Sequence, residues 1–300
     1  MRVGELSLAD LKYRLRRSEL VLEIGDFDVS LATPLSHVAE DFRQLYRDYP
    51  LSSSAALIDF HVGLNPPRGL RRWIRPQVKF FLDANAPFKP LPSDQGFAMF
   101  EWGLNWCIAS HAHHYLNIHA AVVERNGKAL IMPGDPGSGK STLCAALVCA
   151  GWRLLSDEMT LIGVKDGLVY PIPRPVGLKN ESIDIVRERS PESYLGRVVE
   201  DTAKGSVAHM RAPKDSVDAR RETAKPALIV FPKYKQGAST HLAELPRGAS
   251  LLRVAENSFN YHVLGADGFQ SCANLVERTD SYDFTYEKLD EAIPLLESLL

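Results

Sequence analysis

A glycine-rich loop constrains this chain more than any other feature of its sequence. Gly134-Asp-Pro-Gly-Ser-Gly-Lys-Ser141 fits the pattern G-x-x-x-x-G-K-[ST] at every fixed position. The apolar run Ala129–Met132 leads into the loop, and apolar residues at helical spacing follow it as far as Gly151. Glycines in such a loop let backbone N–H groups point at phosphate oxygens, and the N-terminus of the following helix adds its dipole. The sequence therefore predicts a phosphate-binding loop between a strand and a helix.

The polar residues of this loop have distinct expected roles. Lys140 brings a positive charge to the β- and γ-phosphates of a nucleotide, and Ser141 offers its hydroxyl to Mg²⁺. ATP and Mg²⁺ are the expected cofactors, while GTP and pyrophosphate stay open as donors because no base-binding motif is recognisable. The expected nucleotide-binding residues of the loop are Gly134, Asp135, Pro136, Gly137, Ser138, Gly139, Lys140, Ser141 and Thr142.

Two acids, Asp157 and Glu158, follow the next short apolar run, only 17 residues after Lys140. A strand that ends in acids delivers carboxylates to Mg²⁺ at the carboxyl edge of a sheet. Most ATPases and GTPases with such a loop carry their second acid much further along the chain. The short spacing predicts two strands of one sheet joined by a single helix, with no room for a long switch segment.

The dipeptide Asn126-Gly127 lies between the apolar runs Leu116–Glu124 and Lys128–Pro133, which is a strong signal for a two-residue hairpin. With these two residues as the turn, paired residue numbers sum to 253, so His119 lies across from Gly134. This register puts His119 at the mouth of the glycine-rich loop. The alternative is a histidine packed in the core.

Together, His119, the Gly134–Ser141 loop and Asp157-Glu158 resemble the catalytic domain of HPr kinase/phosphorylase, whose fold is related to phosphoenolpyruvate carboxykinase. The whole chain is similar to the HPr-kinase-related kinase A proteins. The stretches that carry this similarity are Glu101–Trp106, Ile118–Ala121, Pro136–Leu143, Gly151–Glu158, Arg174–Asn180 and Lys204–His209. The resemblance implies an α/β fold: a P-loop kinase core of the HPr kinase/carboxykinase type with an added N-terminal α/β segment. Prolines at 87, 90 and 92 predict the boundary between a segment 1–94 and a catalytic domain 95–300.

The resemblance also implies an activity, namely transfer of the γ-phosphoryl group of Mg-ATP to a hydroxyl, most readily a serine of a protein or peptide. Asp157 matches the catalytic base, His119 stands beside it, and Lys140 completes the catalytic set. The implied metal ligands are Ser141, Asp157 and Glu158. An exposed aspartate is a weak base at pH 7, so we expect partial burial beside Glu158 to raise its proton affinity.

One stretch departs from the parent enzymes, which carry Arg-Gly-Leu-Gly after the acids where this chain has Pro173–Lys179. Arg174 is still expected to reach nucleotide phosphates, but the resemblance does not carry the reverse, phosphorolytic activity to this chain. Lys204 is expected to reach the same phosphates from a loop over residues 204–211. That stretch could equally be a solvated surface loop without a function.

Two alternatives to a protein kinase stay open from the sequence. One is a kinase on the same fold that acts on a small-molecule hydroxyl. The other is a nucleotide-dependent switch or binding module that hydrolyses ATP slowly and signals through a partner, which the short spacing between Lys140 and Asp157 disfavours. Because members of the parent family form oligomers, a homo-oligomer is a further expectation.

The composition indicates which kinds of partner the protein binds and in which cellular compartment it is expected. With 35 Lys+Arg against 37 Asp+Glu the net charge is −2, which argues against binding to nucleic acid or to a membrane as the main activity. No apolar run approaches a bilayer span, no signal peptide is readable, and the four cysteines are scattered without a paired motif. We therefore expect reduced cysteines and a cytoplasmic protein.

Hydrophobic patterns outside the motif predict further elements. Strands are expected over Leu20–Ile24, 56–60 and Gln77–Leu82, and a helix around Val38, Phe42 and Leu45. An aromatic-rich helix is expected over residues 96–110. The region after Pro226 is expected to form a strand (227–231), two helices, a short strand (282–285) and a final helix.

Overall fold

Residues 1–52 and 57–300 are described by the computed structural model of the chain, and they form a mixed α/β structure with several sheets. The strands are β1 (Leu20–Ile24), β2 (Phe27–Ala32), β3 (Phe60–Asn65), β4 (Gln77–Leu82), β5 (Leu91–Pro92), β6 (Tyr115–Ile118), β7 (Ala120–Arg125), β8 (Lys128–Pro133), β9 (Arg153–Ser156), β10 (Thr160–Gly163), β11 (Val169–Tyr170), β12 (Val176–Lys179), β13 (Val199–Thr202), β14 (Gly205–Met210), β15 (Lys225–Tyr234), β16 (His241–Glu244) and β17 (Asp280–Tyr286). The α-helices are α1 (Leu8–Arg16), α2 (Ser36–Leu45), α3 (Gly96–His111), α4 (Lys140–Cys149), α5 (Glu181–Arg189), α6 (Lys214–Asp218), α7 (Arg247–Glu256), α8 (Tyr261–Leu264), α9 (Ala266–Glu277) and α10 (Leu289–Glu297).

The N-terminal part of the chain forms a five-stranded sheet in the order β1-β2-β3-β4-β5. Neighbouring strands are antiparallel except for the parallel pair β2 and β3. Helix α2 buries Val38, Phe42 and Leu45, which confirms the helix predicted from their spacing. Helix α3 packs against β3, β4 and α2, so it joins the N-terminal sheet to the rest of the molecule.

A six-stranded sheet in the order β16-β17-β15-β8-β7-β9 carries the glycine-rich loop. Strands β8, β15 and β17 are parallel, while β7 is antiparallel to both of its neighbours, β8 and β9. Strand β9 therefore runs in the same direction as β8, and α4 connects the two. This arrangement confirms the predicted pair of strands from one sheet joined by a single helix. The carboxyl ends of β8, β9, β15 and β17 lie at one edge of the sheet, which is where ligands bind in open α/β sheets.

The hairpin of β7 and β8 has the predicted register. Its pairs run from Ala120–Pro133 to Arg125–Lys128, so each pair of residue numbers sums to 253. Asn126 and Gly127 have φ angles of 56° and 78°, as a tight hairpin turn of this kind requires. The apolar run expected as one strand is two strands, because the chain bends at His119 and β6 pairs with β10 in a separate three-stranded sheet.

Other expectations from the sequence need correction. The strand expected over 56–60 begins at Phe60, and residue 56 lies outside the described residues. The stretch 204–211, expected as a loop, is mostly strand β14, which pairs with β12 and β13. Its alternating pattern is short, and a partner strand on each side supplies the backbone hydrogen bonds that stabilise it. After Pro226 there are three helices before β17 rather than two, and the edge strand β16 was not predicted.

One hydrophobic core extends from α1 and the N-terminal sheet through α3 and α4 to α10. A second, smaller core lies on the other face of the six-stranded sheet, under α7 and α9. The domain boundary at residue 94 stays a prediction, and the larger core crosses it. Within the described part of the chain, no helix combines the length and the apolar character needed to cross a membrane.

The contact between α3 and β4 gives a test of this packing. A Cβ atom added to Gly103 in α3 would stand 2.1 Å from a ring carbon of Phe80 in β4. We expect Gly103→Ala to lower the free energy of unfolding by about 1–3 kcal/mol, because the helix and the strand must move apart. The control is Gly248→Ala in α7, where an added Cβ meets nothing within 4 Å and we expect no loss. Urea unfolding measures both, and equal midpoints for the two variants would contradict the packing.

Candidate functional site

The glycine-rich loop connects β8 to α4 at the carboxyl edge of the six-stranded sheet. At Gly139 the backbone has a φ angle of 96°, and an added Cβ would stand 2.5 Å from the hydroxyl oxygen of Tyr286. Glycine is therefore required there both by conformation and by space. Helix α4 begins at the next residue, Lys140, so its first backbone N–H groups, which have no partner within the helix, lie next to the loop.

Two tyrosines at the ends of neighbouring strands anchor the loop. Tyr234, the last residue of β15, donates its backbone N–H to the carbonyl oxygen of Ser138 over 3.0 Å. Tyr286, the last residue of β17, donates its hydroxyl to the carbonyl oxygen of Gly139 over 3.1 Å. Because β15 and β17 run parallel to β8, their ends reach the loop at the same sheet edge. The sheet thus fixes the loop conformation from one side.

The side chain of Lys140 folds back along the loop and is 7% exposed. Its ammonium donates hydrogen bonds to the carbonyl oxygens of Gly134 and Asp135, the second over 3.0 Å. Burial lowers the pKa of Lys140, and the negative charge of Asp157 opposes that shift. A polyphosphate at the loop would offer this ammonium charged oxygens in place of neutral carbonyls, and charge-assisted hydrogen bonds are the stronger kind.

Asp157 lies directly after β9 and is 6% exposed. Its Oδ2 accepts a hydrogen bond of 2.9 Å from the backbone N–H of Gly177 in β12. Burial raises the pKa of Asp157 to about 7, and the adjacent Glu158 adds to the rise. The Gly177 N–H and the Ser141 hydroxyl act in the opposite direction but are outweighed. This carboxyl group therefore gains and loses its proton near neutral pH.

Glu158 is held by the side chain of Asn105 from α3, whose amide nitrogen donates to Glu158 Oε2 over 2.5 Å. The amide oxygen of Asn105 accepts a hydrogen bond from the guanidinium of Arg174. Arg174 in turn forms an ion pair with Glu101 at 3.4 Å, and Tyr46 donates its hydroxyl to Glu101 over 2.6 Å. The second acid of the site is thus the end of a chain of hydrogen bonds and one ion pair that begins at Tyr46, directly after α2.

A cleft with an open volume of about 20 Å³, room for about one water molecule, lies between α3, the two acids and strands β12 and β14. Asp157 lines this cleft, and the charge of Lys140 acts on the same carboxyl group from the loop. The residues that line the cleft are Glu101, Trp102, Asn105, Ser156, Asp157, Glu158, Arg174, Pro175, Gly177, Lys179, Val207 and His209.

His119 occupies the bend between β6 and β7, one residue beyond the last pair of the β7–β8 ladder. Its backbone N–H donates to the carbonyl oxygen of Asn257 over 2.7 Å, and its ring lies 5.5 Å from that of Phe259. Burial lowers the pKa of His119, and the charge of Lys140 lowers it further. The imidazole is therefore kept neutral in the electric field of the loop lysine.

The two cations expected to reach nucleotide phosphates have other partners in the structure. Arg174 is 6% exposed, and two of its nitrogens contact Glu101 and Asn105. The ammonium of Lys204 lies 4.8 Å from the centre of the Trp102 ring, a cation–π arrangement at the side of the cleft. Phosphate binding by Arg174 and Lys204 stays a prediction.

Several residues of the cleft were missed by reasoning from the sequence, namely Asn105, Gly177 and His209. His209 is 7% exposed in β14, and burial lowers its pKa to about 4. The stretches Glu101–Trp106 and Lys204–His209 carried a family resemblance, which was the only available signal. Local patterns did not indicate that α3 and β14 form walls of the same cleft.

The fit of a magnesium ion can be judged from the acids themselves. Among residues 1–52 and 57–300, no three or more His, Cys, Asp or Glu side chains are grouped so that they could hold a metal ion. Mg²⁺ at phosphoryl-transfer sites takes one or two carboxylates and completes its shell with phosphate oxygens and water. Asp157 suits that role, because its buried Oδ1 accepts no hydrogen bond from the described residues. Ser141 is close enough to affect the same carboxyl group.

The burial of Asp157 predicts a stability change that depends on pH. Its pKa in the folded protein is about 7, above the ordinary value of 3.8, so the unfolded state loses this proton first as the pH rises. Wild type therefore loses stability between about pH 4 and pH 7, and the loss is complete above pH 7. We expect Asp157→Asn to raise the free energy of unfolding of the ligand-free protein by about 4 kcal/mol at pH 8 and hardly at all at pH 4.

Urea unfolding at the two pH values measures this difference. The control is Asp201→Asn, which changes an exposed carboxyl group in β13 and should give the same small difference at both pH values. A variant at position 157 that is less stable than wild type at pH 8 would contradict the assigned pKa shift.

Comparisons with known proteins show a partial family match and a weak structural similarity. A family described as SynChlorMet cassette protein ScmC matches residues 97–174, the stretch from α3 through the glycine-rich loop to Arg174. The HPr(Ser) kinase/phosphatase from Coxiella burnetii is 13% identical, with a TM-score of 0.26, over 61% of this chain and 92% of that one. An overlap this loose supports no inference about activity. No curated protein matches the chain.

Proposed function

We propose that this chain is a Mg-ATP-dependent kinase with a P-loop core of the HPr kinase type, which transfers the γ-phosphoryl group to a hydroxyl acceptor, most readily a serine of a protein or peptide. One observation carries the proposal. The glycine-rich loop lies at one edge of the sheet together with its cation, Lys140, and with the acids Asp157 and Glu158. A cleft leads to Asp157. A loop for phosphates, a cation and two acids are parts that phosphoryl transfer requires.

The residues of the glycine-rich loop, the start of α4 and the two acids would bind and orient the phosphoryl donor. The backbone N–H groups at the start of α4 and the ammonium of Lys140 would hold the β- and γ-phosphates, with Lys140 exchanging its bonds to Gly134 and Asp135 for phosphate oxygens. Ser141, Asp157 and Glu158 would hold Mg²⁺, which when bound neutralises charge that develops on the transferred group. Positioning and electrostatic stabilisation then supply most of the catalysis.

Asp157 would accept the proton of the attacking hydroxyl. In the transfer the acceptor oxygen forms a bond to the γ-phosphorus, the bond from that phosphorus to the bridging oxygen breaks, and ADP leaves. A base works best when its pKa lies near the operating pH, and burial raises the pKa of Asp157 to about 7. The neutral His119 nearby adds no positive charge that would oppose protonation of the base.

Substitutions of Lys140 and Asp157 test the proposal by separating binding from transfer. We expect Lys140→Ala to lose binding of a fluorescent ATP analogue in the presence of Mg²⁺, because the loop loses its only cation. Asp157→Asn should bind the analogue without Mg²⁺ within about twofold of wild type but transfer phosphate about 100-fold more slowly. The control is Lys165→Ala, which removes an exposed lysine from the turn between β10 and β11.

Transfer is measured with γ-³²P-ATP and Mg²⁺ in a lysate of the source organism. A labelled protein band that requires Lys140 and Asp157 would support the protein kinase and deliver its substrate for mass spectrometry. A labelled small molecule would favour the small-molecule kinase, and release of free phosphate alone would favour the ATPase switch. Unchanged transfer by Asp157→Asn would reject this residue as the base.

A further inference from the structure

A buried chain of polar contacts leads from Tyr46, the residue that follows α2, to Glu158. Tyr46 donates its hydroxyl to Glu101 Oε1 over 2.6 Å, and Glu101 Oε2 pairs with Arg174 at 3.4 Å. Arg174 donates to the amide oxygen of Asn105, and the amide nitrogen of Asn105 donates to Glu158 over 2.5 Å. Tyr46 belongs to the N-terminal part of the chain, so this connection joins that part to an acid of the candidate site.

Given the kinase activity proposed above, we infer that Asn105 and Arg174 are positioning residues that hold Glu158 for Mg²⁺, and that the N-terminal part of the chain supports them through Tyr46. Arg174 then acts on Glu158 through Asn105 rather than as a ligand of nucleotide phosphates. The inference also gives Tyr46, directly after α2, a function in the site.

The orientation of Asn105 follows from the chemistry of its neighbours. A guanidinium has donors only, so the side of the amide that faces Arg174 must be the oxygen. The amide NH₂ group is then directed to Glu158, whose carboxylate can accept. Rotation of the amide by 180° would place two donors together and the amide oxygen against a carboxylate. Arg174 thus fixes the donor that holds Glu158.

The orientation of Arg174 depends in turn on Glu101 and Tyr46. Arg174 and Glu101 are 6% and 4% exposed, and a buried charge without its partner is costly. Burial raises the pKa of Glu101 to about 7, whereas Arg174 and the Tyr46 hydroxyl lower it. The hydroxyl therefore favours the charged form of Glu101, which is the form that holds the guanidinium in place.

Cations of the cleft make a fixed position for Glu158 necessary. The charge of Glu158 already acts on Lys204 and on His209, which approach the cleft from β14 and the turn before it. Without the Asn105 amide, the described residues offer no other hydrogen-bond donor to the Glu158 carboxylate. The side chain would then be free to turn toward the ammonium of Lys204 and away from the loop.

The experiment measures the Mg²⁺ concentration that gives half of the maximal Mg²⁺-dependent increase in binding of a fluorescent ATP analogue. We expect Asn105→Leu, a change of similar volume, to raise this concentration about tenfold, as loss of a hydrogen-bonding partner of a metal ligand commonly does. Tyr46→Phe should also raise this Mg²⁺ concentration, by about threefold, although Tyr46 lies outside the cleft. Binding of the analogue without Mg²⁺ should stay within twofold of wild type for both.

The matched control is Tyr115→Phe. Tyr115 is also buried, and its hydroxyl donates to Asp26 over 3.1 Å, outside the connection to Glu158. We expect this variant to lose thermal stability like Tyr46→Phe but to keep the wild-type Mg²⁺ concentration. If Asn105→Leu does not fold, the comparison of Mg²⁺ concentrations between Tyr46→Phe and Tyr115→Phe still tests the positioning role.

The outcomes separate this inference from the proposed function. The positioning role is rejected if the half-maximal Mg²⁺ concentration is the same for wild type, Asn105→Leu and Tyr46→Phe. If Lys140→Ala loses binding in the same experiment, the proposed nucleotide site is still supported. A parallel rise in Tyr46→Phe and Tyr115→Phe would also reject it, since general destabilisation would then be the cause. Binding by Lys140→Ala equal to wild type would reject the proposed function itself.

Discussion

The buried ion pair of Glu101 and Arg174 is the interaction on which the arrangement of the candidate site depends. Two opposite charges removed from water repay their desolvation only when hydrogen bonds satisfy the remaining donors and acceptors. Here Tyr46 donates to the carboxylate and Asn105 accepts from the guanidinium, while the buried Nε of Arg174 has no hydrogen-bond partner among the described residues. These groups belong to the residue after α2, to α3 and to the segment before β12, so a shift of any of the three would weaken the contacts of a buried charge.

Asp157 and the loop lysine share a second constraint, because the fold holds both in an environment that disfavours charge. Burial raises the pKa of Asp157 to about 7 and lowers that of Lys140. The ligand-free protein therefore accepts a cost in stability at the sheet edge, as functional sites commonly do. A cation near Asp157 and an anion near Lys140 would each relieve that cost, so the site is electrostatically suited to a metal ion and a phosphate together.

The parts of the fold that the sequence predicts well are those specified by neighbouring residues. Asn126-Gly127 specifies a hairpin with one register, and the 17 residues between Lys140 and Asp157 leave room for one helix and one turn. Both were confirmed because turn chemistry and chain length act locally. The stretch 205–210 was predicted wrongly, because its strand is stabilised by partners on two other strands and not by its own pattern.

The walls of the cleft could not be predicted for the same reason. Helix α3 is buried on most of its surface, so the spacing of its apolar residues does not reveal which side meets the acids. Arg174 was assigned to phosphates because it follows the acids in sequence, whereas its counter-ion, Glu101, lies 73 residues earlier in the chain. A charge pair at that separation leaves no local trace in a single sequence. The hydroxyl of Tyr46, from within the predicted N-terminal segment, completes this pair from another 55 residues earlier in the chain.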